Sequence, residues 1–321
     1  EFGVYVGKRN VEGGPRSDNT SHDAFRIVTG LKGDINDSWS YDVSYLYANT
    51  RSTSTYVNDF FAPKIRKNID PDTADILYDV FTYQGVTPEQ AAGLGGVGIL
   101  NGNTSTEVLQ GFATGDLFSL PTASEPIKVV VGYEWREEMF ERLSDTVFEE
   151  GQLLGQGGPT PSLVGGYNVT EFFGEANVPL LDSLALDLAY RYSDYSTVGG
   201  QDTYRLGLDW QPVDLARFRV GFNRAVRAPN VSELYTVQNL GLWAGVDPCG
   251  GIIATGESPE YTAAQCANTG VTAAQYGNIS LSPADQYNQI TGGNPDLQAE
   301  EADTITLGVV LTPTDDLSIS V

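Results

Sequence analysis

The sequence predicts an all-β protein, an antiparallel transmembrane β-barrel, and three observations lead to this prediction. Apolar and polar residues alternate along many segments, these segments are long for strands, and short turns alternate with long loops. Residues 184–192, for example, read L-A-L-D-L-A-Y-R-Y, with a large apolar side chain at every second position. Such alternation gives a strand one apolar face and one polar face.

The length of the alternating segments favours a membrane barrel over an ordinary globular sheet. Most run for roughly ten residues, whereas globular strands average about 5 or 6. Tilted strands that cross a bilayer need about 9 to 11 residues. The eleven predicted strands are residues 1–9, 23–32, 39–53, 104–118, 127–140, 166–178, 184–195, 202–211, 216–227, 302–311 and 317–321.

The two faces of the predicted strands differ in chemistry. One face is apolar and often ends in Tyr or Trp, and the other mixes small and charged residues. Because an Arg that faces lipid at the midplane costs about 2–4 kcal/mol, we expect the charged face to line a wet lumen. The residues placed there are Glu134, Arg136, Asp187, Arg191, Arg205, Asp209, Arg217 and Arg219. A soluble secreted β-sandwich, such as a lectin or hydrolase, would show the same alternation with its apolar face inside.

The connections between strands support the barrel. Short ones, rich in turn-forming residues, lie at 33–38, 120–126, 179–183, 212–215 and 312–316. Long ones lie at 54–103, 141–165 and 228–301, with 196–201 as a short exception. Short periplasmic turns and long extracellular loops are typical of outer-membrane barrels.

The longest loops carry two local signals. Residues 73–92 have helical character, with a start at Pro88. Residues 93–98 fit G-x-G-x-x-G. Because this segment follows no strand and opens no helix, it is interpreted as a flexible loop.

Composition excludes several functions. The formal net charge is −24, which argues against a nucleic-acid partner, and 40% of the residues are hydrophobic, which argues against a disordered acidic tail. His22 is the only histidine and has no nucleophile pattern nearby, so no catalytic residues are predicted. Asp247 and Asp285 lack the spacing of a calcium loop, and neither a metal site nor a cofactor is expected.

The two cysteines, Cys249 and Cys266, predict a disulfide in the last long loop. A metal site would need more ligands than the surrounding sequence offers. A disulfide implies an oxidising compartment and would stabilise the loop by roughly 3 kcal/mol. The aromatic residues Trp243, Tyr261, Tyr276 and Tyr287 in the same loop either stack on a ligand or pack around this disulfide.

Two motifs resemble the barrel signature of TonB-dependent receptors. One is Arg224-Ala-Val-Arg-Ala-Pro-Asn-Val-Ser-Glu-Leu-Tyr235, and the other is Gly293-Asn-Pro-Asp-Leu-Gln-Ala-Glu-Glu-Ala-Asp-Thr304. Residues 132–136 and 189–196 are similar to further strands of that family, and 246–249 with Cys266 resembles a loop disulfide of some members. The motif residues are Arg224, Arg227, Ala228, Pro229, Asn230, Glu233, Leu234, Asn294, Pro295, Asp296 and Leu297.

The resemblance implies a Gram-negative outer-membrane receptor that imports a large scarce nutrient, such as a siderophore or a carbohydrate. It further implies about 22 strands, of which this chain would supply about half as one partial barrel domain, 1–321. The implied partners are the TonB complex, reached through a TonB box and a plug domain, together with outer-membrane lipid and lipopolysaccharide. No plug or TonB box is recognised in the chain, and both of its ends are interpreted as cut. A passive porin or adhesion barrel without a plug is the alternative.

Overall fold

The computed structural model describes residues 11–83, 85–251, 256–281, 285–314 and 316–321. Strands dominate this part of the chain, as the alternation predicted. Their bounds are β1 Ser17–Asn36, β2 Trp39–Phe60, β3 Gly95–Ser119, β4 Pro126–Ser144, β5 Leu163–Leu181, β6 Leu184–Tyr195, β7 Gly199–Val213, β8 Ala216–Arg227, β9 Asn239–Trp243, β10 Tyr287–Thr291, β11 Glu300–Thr314 and β12 Leu317–Ser320.

Ten of these strands form one antiparallel sheet in the order β1-β2-β3-β4-β5-β6-β7-β8-β11-β12. Every neighbouring pair is a hairpin except β8 and β11, which pair across the longest connection. Within the described residues, β1 and β12 lie at the two edges, so the sheet is open. The antiparallel β-barrel fold is therefore confirmed as a partial barrel.

The predicted strands that fall within the described residues are confirmed, but several of their bounds were too short. Strand β2 extends to Phe60, and strand β3 begins at Gly95. The connection between them is therefore 61–94 and not 54–103. The predicted strand at 1–9 lies outside the described residues. The small hairpin β9–β10, inside the connection between β8 and β11, was not predicted.

Short helices occur in the connections, and one helix prediction was wrong. The helices are α1 Ala62–Ile69, α2 Pro88–Leu94, α3 Thr146–Glu149, α4 Val231–Tyr235 and α5 Ala263–Ala267. Only the Pro88 start is confirmed, where Thr87 and Gln90 form a capping box. Residues 73–83 and 85–87 are not helical. The end of α1 binds part of this segment instead, because Asn68 accepts hydrogen bonds from the backbone N–H groups of Ile76 and Tyr78.

The glycine-rich segment at 93–98 is also different from its prediction as a flexible loop. Its first residues end α2, and Gly95 begins β3. A Cβ at Gly96 would lie 2.5 Å from Phe61 Cδ2, and one at Gly98 would lie 2.6 Å from Phe148 Cε2. These glycines therefore allow loop aromatics to pack directly on the strand.

Most of the buried hydrophobic residues lie in the connections, and the buried ones do not form a layer between two sheets. One cluster joins Phe60, at the end of β2, to Ile65, Tyr78, Val86, Ala91 and Leu94 of the 61–94 connection. A second contains Tyr56, Phe148 and Leu153. By contrast, the apolar face of the sheet is open: Leu206 is 51% exposed and Phe172 is 58% exposed. This single-layer arrangement does not fit a β-sandwich, whose inner faces would be buried.

The connections fall on two edges of the sheet, as predicted. Turns 37–38, 120–125, 182–183 and 214–215 share one edge, and connections 61–94, 145–162, 196–198 and 228–299 share the other. We call these the turn edge and the loop edge. Among the described residues, no helix is long and apolar enough to span a membrane.

Candidate functional site

The eight residues predicted for the lumen lie on one face of the sheet, here called the charged face. The register places Glu134 opposite Glu171 and Arg219 opposite Asp209. Since side chains alternate along a strand, the members within each strand share one parity. The large apolar residues lie on the opposite face, here called the apolar face, where Trp210 packs on Phe218 with ring centroids 5.6 Å apart.

A dense polar network occupies the charged face near the loop edge. Glu171 is only 3% exposed and accepts hydrogen bonds from Arg191 Nη1 at 2.9 Å and Ser193 Oγ at 2.6 Å. Beside it, Arg136 Nη1 donates to Glu138 Oε1 at 2.9 Å. The predicted Arg136 and Arg191 are thus both neutralised locally, as a low-dielectric wall requires.

The same network includes residues that the sequence interpretation missed. Tyr167 donates its hydroxyl to Glu138 Oε2 at 2.8 Å, and its ring lies 6.3 Å from that of Tyr195. Glu138 has the parity of Glu134 and Arg136, and Ser193 has that of Arg191, so the alternation could have found these two. Tyr167 and Glu171 lie on β5, where no lumen residue was predicted, and their face follows from the register with β4. A cleft of about 270 Å³ opens here, lined among others by Glu134, Arg136, Glu171, Arg191, Ser193 and Tyr195.

A second group of charges lies on β7 and β8. Arg217 Nε donates to Asp209 Oδ1 at 2.7 Å, and Arg219 Nε lies 3.4 Å from Asp209 Oδ2. Asp187 accepts a hydrogen bond from Asn177 Nδ2 at 2.6 Å. Arg205 is exposed on the same face and makes no ion pair within the described part of the chain. Partly exposed pairs of this kind contribute roughly 0–1 kcal/mol each to the stability of the fold. Their main effects are to fix the register of the strands and to balance the charge on this face.

The first motif builds the end of β8 and a short helix. Asn230 caps α4 by accepting a hydrogen bond from Glu233 N–H at 2.9 Å, while Glu233 Oε2 accepts one from Asn230 N–H at 2.8 Å. Arg227 contacts Glu233 at 3.1 Å and Glu300 at 2.5 Å, so it ties the helix to β8 and β11. The Arg227 guanidinium, with the Asn230 amide, holds the pKa of the Glu233 carboxyl below its usual range.

Arg224 of the same motif has a different position. It lies on the apolar face, where it makes two hydrogen bonds of 2.8 Å to Asp303 and sits 5.7 Å from the ring centre of Tyr204. It is therefore not equivalent to the charged-face arginines. Pro229, which follows Ala228, directly precedes the capping residue, where the chain turns away from the sheet.

The second motif packs against the first. Gly293 N–H donates to Thr236 O at 2.7 Å, and Asn294 N–H donates to Glu233 O at 2.8 Å. A Cβ at Gly293 would lie 2.7 Å from the backbone of Leu234, which is itself 2% exposed, so glycine permits this approach. Asn294 Oδ1 accepts from Asp296 N–H in the turn that holds Pro295 and Leu297. The two motifs thus close the base of the longest connection.

The predicted disulfide is confirmed. Cys249 and Cys266 are bonded, with Cα atoms 6.0 Å apart, and both residues are buried. Trp243 and Tyr261 are 42% and 46% exposed, whereas Tyr287 is 4% exposed and packs on Trp243 with centroids 6.1 Å apart. Tyr276 donates its hydroxyl to Tyr261 O at 2.8 Å. Because Tyr287 is buried, a ligand cannot reach its ring.

The long connections contact one another at the loop edge. Asn239 Nδ2 donates to Pro159 O at 2.8 Å, which seats the β9–β10 hairpin on the 145–162 connection. That connection in turn bridges to 61–94 through Phe61 and Leu153. We call connections 61–94, 145–162 and 228–299 together the loop layer. Within the described residues, no group of three or more His, Cys, Asp or Glu side chains could hold a metal ion.

Comparisons with known proteins agree with this geometry. Residues 2–321 match the family described as TonB dependent receptor-like, beta-barrel. No curated protein sequence matches the chain. The fold is similar to a double variant of the ferric enterobactin receptor PfeA from Pseudomonas aeruginosa, with 17% identity, a TM-score of 0.53 and coverage of 94% of this chain and 33% of that one.

Two other solved structures share the fold. The siderophore receptor PirA from Acinetobacter baumannii is 15% identical with a TM-score of 0.54, over 94% of this chain and 34% of that one. The RagAB peptide importer is 12% identical with a TM-score of 0.50, over 92% and 28%. The chain therefore spans about a third of the length of the structures that it matches. Since the family match covers nearly every residue, the chain belongs to the TonB-dependent receptor β-barrel family.

Proposed function

We propose that the protein acts in the outer membrane of a Gram-negative bacterium as a receptor for TonB-coupled uptake of a large scarce nutrient. The observation that carries this proposal is the single-layer sheet with one open apolar face and one edge of packed long connections. Only a membrane interior or another apolar partner can cover such a face at low free energy. The family comprises receptors and transporters, in agreement with the expectation that the chain is not an enzyme.

The charged face is proposed to line the lumen and to contact a plug domain. Its ion pairs, such as Arg191 with Glu171, leave a wall of compensated charge and hydrogen-bonding groups. Such a wall can hold a folded plug by polar contacts that rearrange easily. Uphill transport then needs an external energy source, because ligand binding alone shifts an equilibrium only by its own free energy. TonB, acting through a TonB box, would supply that energy, and lipid and lipopolysaccharide would surround the apolar face.

Uptake measurements test this function. Cells that express the intact receptor should take up its nutrient, and uptake should stop when tonB is deleted or a protonophore collapses the proton gradient, while binding to the cell surface persists. Flux that survives both treatments would indicate a passive porin instead. A fractionation experiment that finds the intact receptor outside the outer membrane would contradict the proposed location.

A further inference from the structure

The sheet divides near the loop edge, between β7 and β8. The ladder that joins these two strands ends at the pair Tyr204 and Arg224. Beyond this pair, residues 199–203 of β7 stay paired with β6, and residues 225–227 of β8 stay paired with β11. The two strands therefore separate from each other while each remains joined to its other neighbour. We call this division the seam.

The side chains beside the seam form their hydrogen bonds away from it. On β7, Asp202 Oδ1 accepts a hydrogen bond from the Tyr190 hydroxyl of β6 at 2.5 Å. On β8, Arg224 makes its two hydrogen bonds of 2.8 Å to Asp303 of β11. At the base of the seam, the Arg224 guanidinium lies 5.7 Å from the ring centre of Tyr204 and so crosses from β8 to β7. A cation over an exposed aromatic ring is a weak contact, so little holds the seam closed at this level.

The cleft of about 270 Å³ on the charged face reaches into the seam. It is lined by Gln201 and Thr203 of β7 and also by Val226 of β8. Side-chain alternation along β8 would place Val226 on the apolar face together with Arg224, yet Val226 lines a cleft of the charged face. The end of β8 has therefore turned out of the plane of the sheet, and the cleft extends into the gap between the two strands.

Helix α4 crosses the wall at the level of the seam. It follows β8 directly in the sequence but packs on β5, where a Cβ at Gly165 would lie 2.8 Å from Val231 Cγ1. Because β6 and β7 lie between β5 and β8 in the sheet, α4 must pass over the ends of both strands. The connection between β6 and β7, 196–198, is short and leaves room for this crossing. Val231 is 6% exposed, so the contact with β5 is well packed.

We infer that α4 is a strap that keeps the seam and its cleft closed. Arg227 joins the strap to β8 and β11 through its contacts with Glu233 and Glu300, and Val231 rests on β5 at Gly165. A displacement of the longest connection therefore acts on the strap and on the end of β8 together. The contacts that yield first are the packing at Gly165 and the cation over the ring at the base of the seam, because neither is part of a hydrogen-bonded ladder. The strap thus links the loop layer to the charged face, whatever the ligand is.

Cysteine labelling of the intact receptor in lipid nanodiscs tests the strap. Thr203→Cys places a thiol in the cleft, and the two cysteines of this chain are already bonded to each other. A water-soluble maleimide should label this thiol more slowly than one at Glu89→Cys, an exposed position of α2, because the cleft must first open. Labelling of the receptor without an added cysteine is subtracted. Equal rates at the two positions would mean that the cleft is always open, which overturns the inference.

A matched pair of glycine substitutions makes the test specific to α4. In Gly165→Ala the added Cβ would lie 2.8 Å from Val231 Cγ1, so the strap is pushed off β5, and labelling of Thr203→Cys should become about tenfold faster. Gly174→Ala on the same strand is the control, because its Cβ would lie 3.7 Å from Val130 O, an ordinary contact, and the rate should not change. Equal rates in the two variants would overturn the inference.

A third variant tests the base of the seam. Tyr204→Leu removes the ring beside Arg224 and leaves the bonds of Arg224 to Asp303, so labelling of Thr203→Cys should become about threefold faster. This variant adds no bulk, so it still tests the inference if Gly165→Ala does not assemble. An unchanged rate would show that the seam does not open from this point and would overturn the inference.

Hydrogen exchange distinguishes opening of the seam from general loss of structure. In the Tyr204→Leu and Gly165→Ala variants, the amides of residues 199–203 and 225–227 should exchange faster, whereas those of residues 205–210 should stay protected. Faster exchange along the whole of β7 would show that the wall itself unfolds, which also overturns the inference.

Discussion

The ten-stranded sheet and the loop layer are stabilised in different ways. In the sheet, long antiparallel ladders hold the backbone, and charged side chains of both signs compensate one another, as Arg191 and Glu171 do. In the loop layer, small hydrophobic clusters and one disulfide hold the chain, and acidic side chains greatly outnumber basic ones. The sheet is therefore suited to be a constant wall, and the loop layer is suited to carry the specificity of the receptor.

The largest expected effect concerns the apolar face. Leu206→Arg should destabilise the barrel by about 2–4 kcal/mol, because the guanidinium would enter lipid near the midplane. Thr203→Arg, on the charged face of the same strand, should be tolerated. Assembly can be followed in outer membranes by the heat-dependent mobility of the intact receptor on gels. Equal loss of assembly in both variants would show that the two faces are not distinguished by lipid.

Removal of the disulfide should loosen the loop layer and spare the sheet. Cys249→Ser combined with Cys266→Ser is expected to cost the enclosed loop roughly 3 kcal/mol. Protease cleavage within residues 249–266 should become faster, while the urea midpoint of the intact receptor stays the same. A lowered midpoint would mean that the loop layer and the wall unfold together.

A smaller effect is expected inside the wall. Glu171→Ala leaves Arg191 and Ser193 without their acceptor, which should lower the free energy of unfolding by about 1–3 kcal/mol. Glu175→Ala changes an exposed carboxylate on the same strand and face, and serves as the control. Urea titration of both variants in lipid vesicles measures the difference. Identical urea midpoints in the two variants would show that this network does not stabilise the sheet.

The smallest effect concerns pH at the junction of wall and loops. The pKa of Glu233 is lowered in the folded protein. The stabilisation that its charged carboxylate provides is therefore fully present above the ordinary pKa of the residue, and it is lost as the pH falls through the folded pKa. Glu233→Gln should therefore lower the urea midpoint slightly at pH 7, and this difference should shrink as the pH falls below the ordinary pKa of glutamate. A difference that does not depend on pH would assign the effect to packing instead of charge.

Much of the sheet could be predicted from the sequence, because a period of two residues reports directly which side chains share a face. The prediction of strand bounds failed at the ends of β2 and β3 near the loop edge. Residues 95–103 and 54–60 belong to strands, but they are rich in Gly, Asn, Ser and Thr. Because of this composition, they show no alternation of apolar and polar residues from which a strand could be predicted. The hairpin β9–β10 was missed because each strand has five residues and the partner is distant in the sequence.

The candidate site was predictable only in part. The alternation along the strands correctly placed Arg136 and Arg191 on the same face of the sheet. It did not give their partners, because the contact of Arg191 with Glu171 depends on the register between β5 and β6. The role of Arg227 as a tie between α4 and β11 likewise depends on how a distant segment returns to the sheet.

The turn edge contains one contact that links two hairpins. Asp182 Oδ1 accepts hydrogen bonds from Ser124 N–H at 2.7 Å and Ser124 Oγ at 2.8 Å, and Thr122 Oγ1 donates to Leu180 O at 2.6 Å. The hairpins β3–β4 and β5–β6 are thus joined both along the ladder between β4 and β5 and across their turns. A block of four strands that is joined at two places resists shear between its two hairpins, so we expect β3, β4, β5 and β6 to move as one unit when this part of the sheet flexes.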